Sequence, residues 1–358
     1  MATRASAPPS AKPLGLLERA ALGGAYRVQQ AAIRTPLLAS HGLLRLLGRG
    51  RGAAPPREAL QALRREYEAL LERDIANARD GHYPSSLLFG IPWRDHVASL
   101  PRFAADLPRV VWRSRRGDFK DLPETPSRRF PGYFRRTYHW QTDGYLSRHS
   151  ARVYDLSVEF LFLGCADVMR RQVIPPMTRF ARAEPPAGRP LRILDVACGT
   201  GRTLAQIAAA LPGAQLFGVD LSPWYLEEAR RRLARVPDVS LVSESAEKLP
   251  FRDGYFDAVT SVYLLHEMPR RVRRRAVAEM ARVLRPGGLL VLEDSAQLAE
   301  ASDLSFFLRA FTELMHEPYY RDYLRDDLAD LLAEAGLEGA STERAWLSKV
   351  VQARKPRG

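Results

Sequence analysis

From residue 190 onward, apolar positions come in short runs separated by amphipathic stretches. Ile193, Leu194 and Val196 form one such run and read as a buried strand. Leu204, Ile207, Ala208 and Leu211 follow at helical spacing, and Pro212-Gly213 stops that helix. Residues 214–219 read as a second strand ending in Asp220. Ser222 caps the next helix and Pro223 takes its first position. Residues 239–242, 256–262 and 289–292 give three more strands. Val272, Ala276, Met280, Val283 and Leu284 mark one face of a helix ended by Pro286-Gly287-Gly288. Strand-helix alternation of this length predicts an α/β, doubly wound fold, a parallel sheet with helices on both faces.

The N-terminal half carries a different pattern. Residues 57–80 read as a helix with Leu60, Leu63, Tyr67, Leu70 and Leu71 on one face. Seven prolines from Pro84 to Pro131, including Pro92, Pro101 and Pro108, are expected to break the following chain into short pieces. Residues 131–162 are rich in aromatics, from Tyr133, Phe134 and Tyr138 to Phe160 and Phe162. That segment reads either as packing of an accessory region or as a roof over a site. Pro185-Pro186-Ala187-Gly188 reads as a linker. The expected organisation is a basic, partly disordered leader over 1–56, a mainly helical and aromatic accessory region over 57–184, and an α/β domain over 185–358.

The first strand runs into Asp195-Val196-Ala197-Cys198-Gly199-Thr200-Gly201. The glycines leave backbone amides bare, so a nucleotide can lie against the main chain. Leu204 stands where a dinucleotide fingerprint has its third glycine. Asp195, at the strand end, would repel a pyrophosphate and attract an ammonium group. A ligand with a cation in that position, such as S-adenosylmethionine, is therefore expected in place of NAD. An acid at the tip of the second strand, here Asp220, accepts hydrogen bonds from both ribose hydroxyls in dinucleotide folds.

Residues 145–354 resemble class I S-adenosylmethionine-dependent methyltransferases, most of all the ubiquinone/menaquinone C-methyltransferase type. The resemblance rests on five motifs in order: Asp195, Gly199 and Gly201; Gly218, Asp220 and Ser222; Ala246, Glu247, Leu249, Pro250 and Phe251; Phe256 and Asp257; and Arg282 to Gly288. Residues 154–171 are similar to the helix that covers the cofactor in the quinone enzymes. The resemblance implies a Rossmann-like, mostly parallel sheet of seven strands. It implies cofactor contacts from Asp195, Ala197, Gly199, Thr200, Gly201, Asp220, Leu221, Ser245, Ala246, Glu247, Ser261 and Val262. Ser245 stands where many relatives carry Asp or Asn, a shorter and neutral acceptor for adenine. Cys198 replaces a glycine and reads as a small buried residue in a tight turn.

Methyl transfer needs an acceptor held in line about 3 Å from the methyl, with water kept away. The loop after the fourth strand, residues 263–268, lies at the carboxyl edge where such sheets bind ligands. His266 is the candidate base because its ordinary pKa is near neutrality, and Tyr263 is the second candidate. A structural His266 capping the next helix is the competing reading; His139 and Glu267 are weaker candidates for catalysis. Tyr154 and the aromatic insertion with Phe311, Tyr319 and Tyr320 are the expected walls of the acceptor pocket.

Composition narrows the partners. The net charge is +13, from 54 basic and 41 acidic residues, and the excess is uneven. Up to residue 52, Lys12 and seven arginines face the single acid Glu18, amid many leucines. That segment suits a docked helix, an anionic membrane surface or an organelle leader. Arg270, Arg271 and Arg273 to Arg275 read as a solvated face, with an anionic substrate or lipid as the alternative. No aromatic platform interleaves with them, so nucleic acid is not the expected partner. No apolar run of about 18 residues exists, and two cysteines show neither a disulfide framework nor a metal pattern. The expected location is cytoplasmic, with peripheral membrane contact or organelle targeting left open. The leading reading is a methyltransferase for a small lipophilic acceptor, such as a quinone precursor, phenol or lipid. An RNA or protein methyltransferase, and a non-catalytic cofactor-binding adaptor at a membrane, are the alternatives.

Overall fold

The structure is a computed structural model that describes residues 16–44, 54–124 and 129–357. The predicted strand-helix alternation forms one seven-stranded sheet in the order β3-β2-β1-β4-β5-β7-β6. Strands β1 (Arg192–Val196), β2 (Gln215–Asp220), β3 (Val239–Ser243), β4 (Phe256–Val262) and β5 (Leu284–Ser295) are parallel. The last two, β6 (Glu338–Ala345) and β7 (Ser348–Arg354), form an antiparallel hairpin, with β7 running against β5. The fifth strand is longer than the apolar run 289–292, because Leu284 already pairs with Phe256 before the Pro-Gly-Gly irregularity.

Helices cover both faces: α7 (Arg202–Ala210), α8 (Pro223–Arg232), α9 (Arg270–Val283), and after β5 the segments α10 (Ser305–Leu314), α11 (Tyr320–Tyr323) and α12 (Leu328–Glu334). On one face Leu194, Val196, Val259 and Leu290 meet Val272, Ala276 and Met280 of α9. On the other, Ile193, Leu216, Ala258 and Val291 meet Leu204 and Ile207 of α7. Cys198 packs as a small residue should: a Cβ on Gly218 would come within 2.8 Å of its Sγ and 2.7 Å of Leu241. No larger neighbour fits there.

The N-terminal half adds α1 (Leu16–Leu44), α2 (Arg57–Arg79), α3 (Trp93–Arg116), α4 (Arg148–Leu161), α5 (Ala166–Arg170) and α6 (Ile174–Ala183). Three expectations change here. Residues 16–44 of the expected leader are a single helix that docks through Tyr26, whose buried hydroxyl donates to Asp74 at 2.5 Å. Asp74 also pairs with the buried Arg171. Residues 1–15 and 45–53 lie outside the described residues. On α2, Tyr67, Leu70 and Leu71 are buried as expected, but Leu60 is exposed.

The third change concerns proline. The chain stays helical from Trp93 to Arg116 through Pro101 and Pro108. Each internal proline costs about 3 kcal/mol of helix free energy. Packing against α4 and the following loop offsets it. Ser99 donates to the Arg152 carbonyl, Phe103 meets Phe160 at 5.4 Å, and the fully buried Arg113 donates to the carbonyls of Trp140 and Gln141. Accessory helices and sheet also share one core, since Tyr67, Leu70 and Ile75 pack in the same cluster as Ile193 and Leu216.

Candidate active site

Strands β1, β2 and β4 end together, and the first cavity opens at their carboxyl edge. Ala197 and Gly199 both take left-handed backbone angles, with φ of 61° and 53°. That bend aims the Gly199 Cα into the cavity, where an added Cβ would meet only Tyr225, at 4.0 Å. Asp220, at the tip of β2, accepts the Gly199 amide at 2.9 Å and the Ser222 amide at 2.7 Å. Burial pushes its pKa up to about 6, and the two amides oppose that shift. Asp195 is 1% exposed, and among the described residues neither of its carboxylate oxygens has a hydrogen-bond partner. Burial and then the Asp220 charge hold its pKa well above the usual range. Two buried carboxylate oxygens without a partner leave acceptors that a cationic group could satisfy.

Of the expected cofactor residues, Ala197, Gly199, Asp220, Leu221, Ser245, Ala246 and Val262 line this cavity, together with Glu244, which the motifs did not single out. Asp195, Thr200, Gly201, Glu247 and Ser261 do not line it; Asp195 lies buried behind it at the end of β1, and the other four support it from outside. The Thr200 hydroxyl donates to Asp155 at 2.8 Å and accepts from Arg232 at 2.7 Å. Gly201 is the cap of α7. The Ser261 hydroxyl donates to the Val196 carbonyl at 2.7 Å. Glu247 accepts from the Tyr133 hydroxyl at 2.7 Å and pairs with Arg275. The aromatic lead-in supplies the roof, from Tyr133, Phe134, Tyr138 and Tyr145. It is pinned to the α8 cap where the Ser222 hydroxyl donates to the Tyr145 carbonyl at 2.6 Å.

A second cavity adjoins the first. Its walls are mostly apolar, with Val158, Leu161, Phe162, Phe307, Leu308, Phe311 and Leu347, and its polar end holds His139, His266, Glu267 and Ser295. Tyr154, Tyr263 and Glu267 line both cavities and so form their common boundary. Phe311 and Tyr320 are where the expected acceptor pocket needs them. Tyr319 lines neither cavity; its ring packs with the Tyr138 cluster and under the Arg136 guanidinium.

His266 is buried, and its Nδ1 lies 2.6 Å from Asp294 Oδ1. Burial opposes protonation, but the Asp294 carboxylate outweighs it and pushes the His266 pKa up to about 9. The imidazole thus does not hold the pKa near neutrality on which the base assignment rested. The Tyr263 hydroxyl is buried and its pKa is raised, first by burial and then by Glu293. His139 moves the other way, down to about 3, through burial and then the neighbouring histidines. Burial raises Glu267 to about 7.

His139, His266, Glu267 and Glu317 converge, each offering one ligating atom within 4.8 Å of the others. The sequence shows no metal pattern because these residues come from three separate segments. The basic run on α9 keeps a mostly solvated face and turns one arginine inward. Arg273 is fully buried, donates to the Leu265 and Met268 carbonyls at 3.0 and 3.1 Å, and pairs with Asp326. Arg270, Arg274 and Arg275 pair with Asp326, Glu334 and Glu247. Arg273 therefore clamps the loop that carries His266, while Arg270, Arg271 and Arg275 stay largely exposed.

Residues 193–288 match a family model described as a methyltransferase domain. The demethylmenaquinone methyltransferase of Beutenbergia cavernae is 37% identical over 145 residues, which are 40% of this chain and 54% of that one. The enzyme of the same name from Clavibacter sepedonicus is 44% identical over 101 residues, covering 28% of this chain and 40% of its own. The chain thus spans about half the length of these curated relatives. Among solved structures, the YcgJ protein of Bacillus subtilis aligns at 20% identity and a TM-score of 0.40, over 52% of this chain and all of that one.

Proposed function

We propose that this chain, which carries an S-adenosylmethionine-dependent methyltransferase domain over residues 193–288, methylates a small lipophilic acceptor. One observation carries the reading: two cavities meet at Tyr154, Tyr263 and Glu267, one bearing the glycine turn and Asp220, the other mostly apolar. Bound S-adenosylmethionine supplies an electrophilic methyl group on a sulfonium. Asp195 would hold its ammonium group and Asp220 its ribose hydroxyls. The Tyr133 to Tyr145 roof keeps water off that site. Phe311, Phe162 and Leu308 would hold a flat or greasy acceptor so that its nucleophilic atom reaches the shared boundary. Positioning of that kind supplies a large part of the barrier reduction. The name of the relatives, demethylmenaquinone methyltransferase, supports a quinone-type ring among the candidate acceptors.

The RNA or protein reading finds less support, since five of the six arginines of α9 are already ion-paired. Attachment to a membrane surface is supported instead by α3, where Trp93, Val97 and Leu100 form an exposed apolar stripe beside Arg94 and Arg102. Replacing these three apolar residues with serine should release the protein from anionic vesicles in sedimentation. Equal sedimentation would remove that attachment. The acceptor class is tested by incubating the protein with methyl-labelled cofactor and separate lipid, RNA and protein fractions. Label in the lipid fraction is expected; label confined to RNA or protein would overturn the reading.

A further inference from the structure

We infer that His139, His266, Glu267 and Glu317 form a site for one divalent transition-metal ion at the polar end of the acceptor cavity. Their ligating atoms all lie within 4.8 Å of one another. Around a tetrahedral ion at about 2.0–2.2 Å the donor atoms stand about 3.3–3.6 Å apart, so the widest pair would have to close by about 1.2–1.5 Å when the ion binds. The donors are held by outer partners in the manner of metal ligands. Asp294 holds His266 Nδ1 at 2.6 Å, which leaves Nε2 for the ion, and Asp294 is itself fixed by the Leu265 and Ser295 amides at 2.7 Å. The Tyr145 hydroxyl donates to Glu267 Oε1. The His139 amide donates to Glu317 Oε1 at 3.2 Å, and His139 Nε2 lies 3.1 Å from the same oxygen.

A second observation points to a ligand. Glu317 is 5% exposed, and its Oε2 has no hydrogen-bond partner among the described residues. Its nearest basic neighbour is the His139 imidazole, and no Lys or Arg within ion-pair distance of Glu267 or Glu317 occurs among the described residues. A divalent ion that displaced the His266 proton would occupy the unpartnered Glu317 Oε2 and neutralise the two buried carboxyl groups. Two imidazoles with two carboxylates suit zinc, manganese or ferrous iron better than magnesium or calcium, which take all-oxygen sets. Because His139, His266 and Glu267 line the acceptor cavity, the ion would present an open position there. A phenolate or enolate oxygen is the acceptor group that such a position binds. That last step rests on the proposed methyl transfer, whereas the metal site does not.

The test uses the full chain without acceptor. Protein stripped with a chelator is dialysed against Zn²⁺, and bound metal is counted by mass spectrometry. One ion per chain is expected. Glu317→Gln and His139→Ala should each weaken binding by about 100-fold or more, and Asp294→Asn by about 10–100-fold. Calorimetric binding of S-adenosylmethionine by each variant checks that the fold survives. X-ray absorption of the wild-type zinc complex should show only nitrogen and oxygen neighbours, with imidazole scattering. Stoichiometry below one-tenth, sulfur in the metal shell, or unchanged affinity in both ligand variants would overturn the site. The four residues would then be a hydrogen-bonded acid-base cluster. Failure of methyl transfer with metal still bound would count against the proposed reaction and not against this site.

Discussion

Replacing Asp220 with alanine separates two jobs that the structure gives to one carboxylate. Toward the cavity, the carboxylate would accept the ribose hydroxyls. Toward the protein, it accepts the amides of Gly199 and Ser222 at 2.9 and 2.7 Å. A hydrogen bond to a charged group contributes about 1.5–3 kcal/mol, so cofactor affinity should fall about 10- to 150-fold. The unpaired amides also loosen the glycine turn, so affinity should sit at the weaker end of that range and the melting temperature should drop by a few degrees. Burial holds the Asp220 pKa at about 6. The sign follows: above that pH the carboxylate is ionised and accepts, and below it a proton occupies an acceptor position. Wild-type affinity should therefore decline as pH falls through about 6, and the decline should be shallower in Asp220→Ala. Isothermal calorimetry at pH 5, 6, 7 and 8 measures both effects. Affinity within twofold of wild type at pH 7.5, or identical pH curves, would refute the role given to this residue.

Three further outcomes follow from the geometry. Gly199→Val should abolish cofactor binding, since the side chain enters the cavity and the left-handed backbone adds about 1–2 kcal/mol of strain; a variant that binds normally in calorimetry would displace the turn from the site. Arg273→Met should destabilise the fold by about 2–3 kcal/mol in urea unfolding, because it leaves two loop carbonyls without their buried donor and Asp326 with Arg270 alone; a loss below about 1 kcal/mol would deny the clamp. Phe311→Ala should lower methyl transfer with little change in cofactor affinity, whereas Tyr319→Ala should leave transfer nearly intact, because only Phe311 lines the second cavity; equal losses in labelled product would put the wall elsewhere.

The sheet was legible wherever burial on both faces leaves a continuous apolar run. Thus β1 and β4 fall within a residue of their expected bounds, and the turn and Asp220 follow from where β1 and β2 end. The hairpin of β6 and β7 was harder to see, because β6 is an edge strand whose first six residues are exposed. Helix α3 was hidden by Pro101 and Pro108, since local propensity does not reveal packing against α4. Docking of α1 centres on a buried tyrosine meeting an aspartate 48 residues away, with Arg27 on Glu68 and Gln29 on the Leu88 carbonyl, partners equally remote in sequence. The polar end of the acceptor cavity was the least legible part. His266 stood out for its intrinsic pKa, but its partner Asp294 lies on β5 and Glu317 comes from beyond α10. Only the folded chain brings them together. The partners of the basic run were hidden for the same reason: the acids that pair with Arg270 and Arg273 to Arg275 come from 247, 322, 326 and 334.

The central claim is that the cofactor's methyl group faces the apolar cavity across Tyr154, Tyr263 and Glu267. A crystal structure with bound S-adenosylmethionine tests it directly. The account predicts ribose hydroxyls on Asp220, the ammonium group beside Asp195, and the methyl carbon directed at the space between Phe311 and His266. A cofactor seated with its methyl group turned away from that space, or bound outside the first cavity, would contradict it.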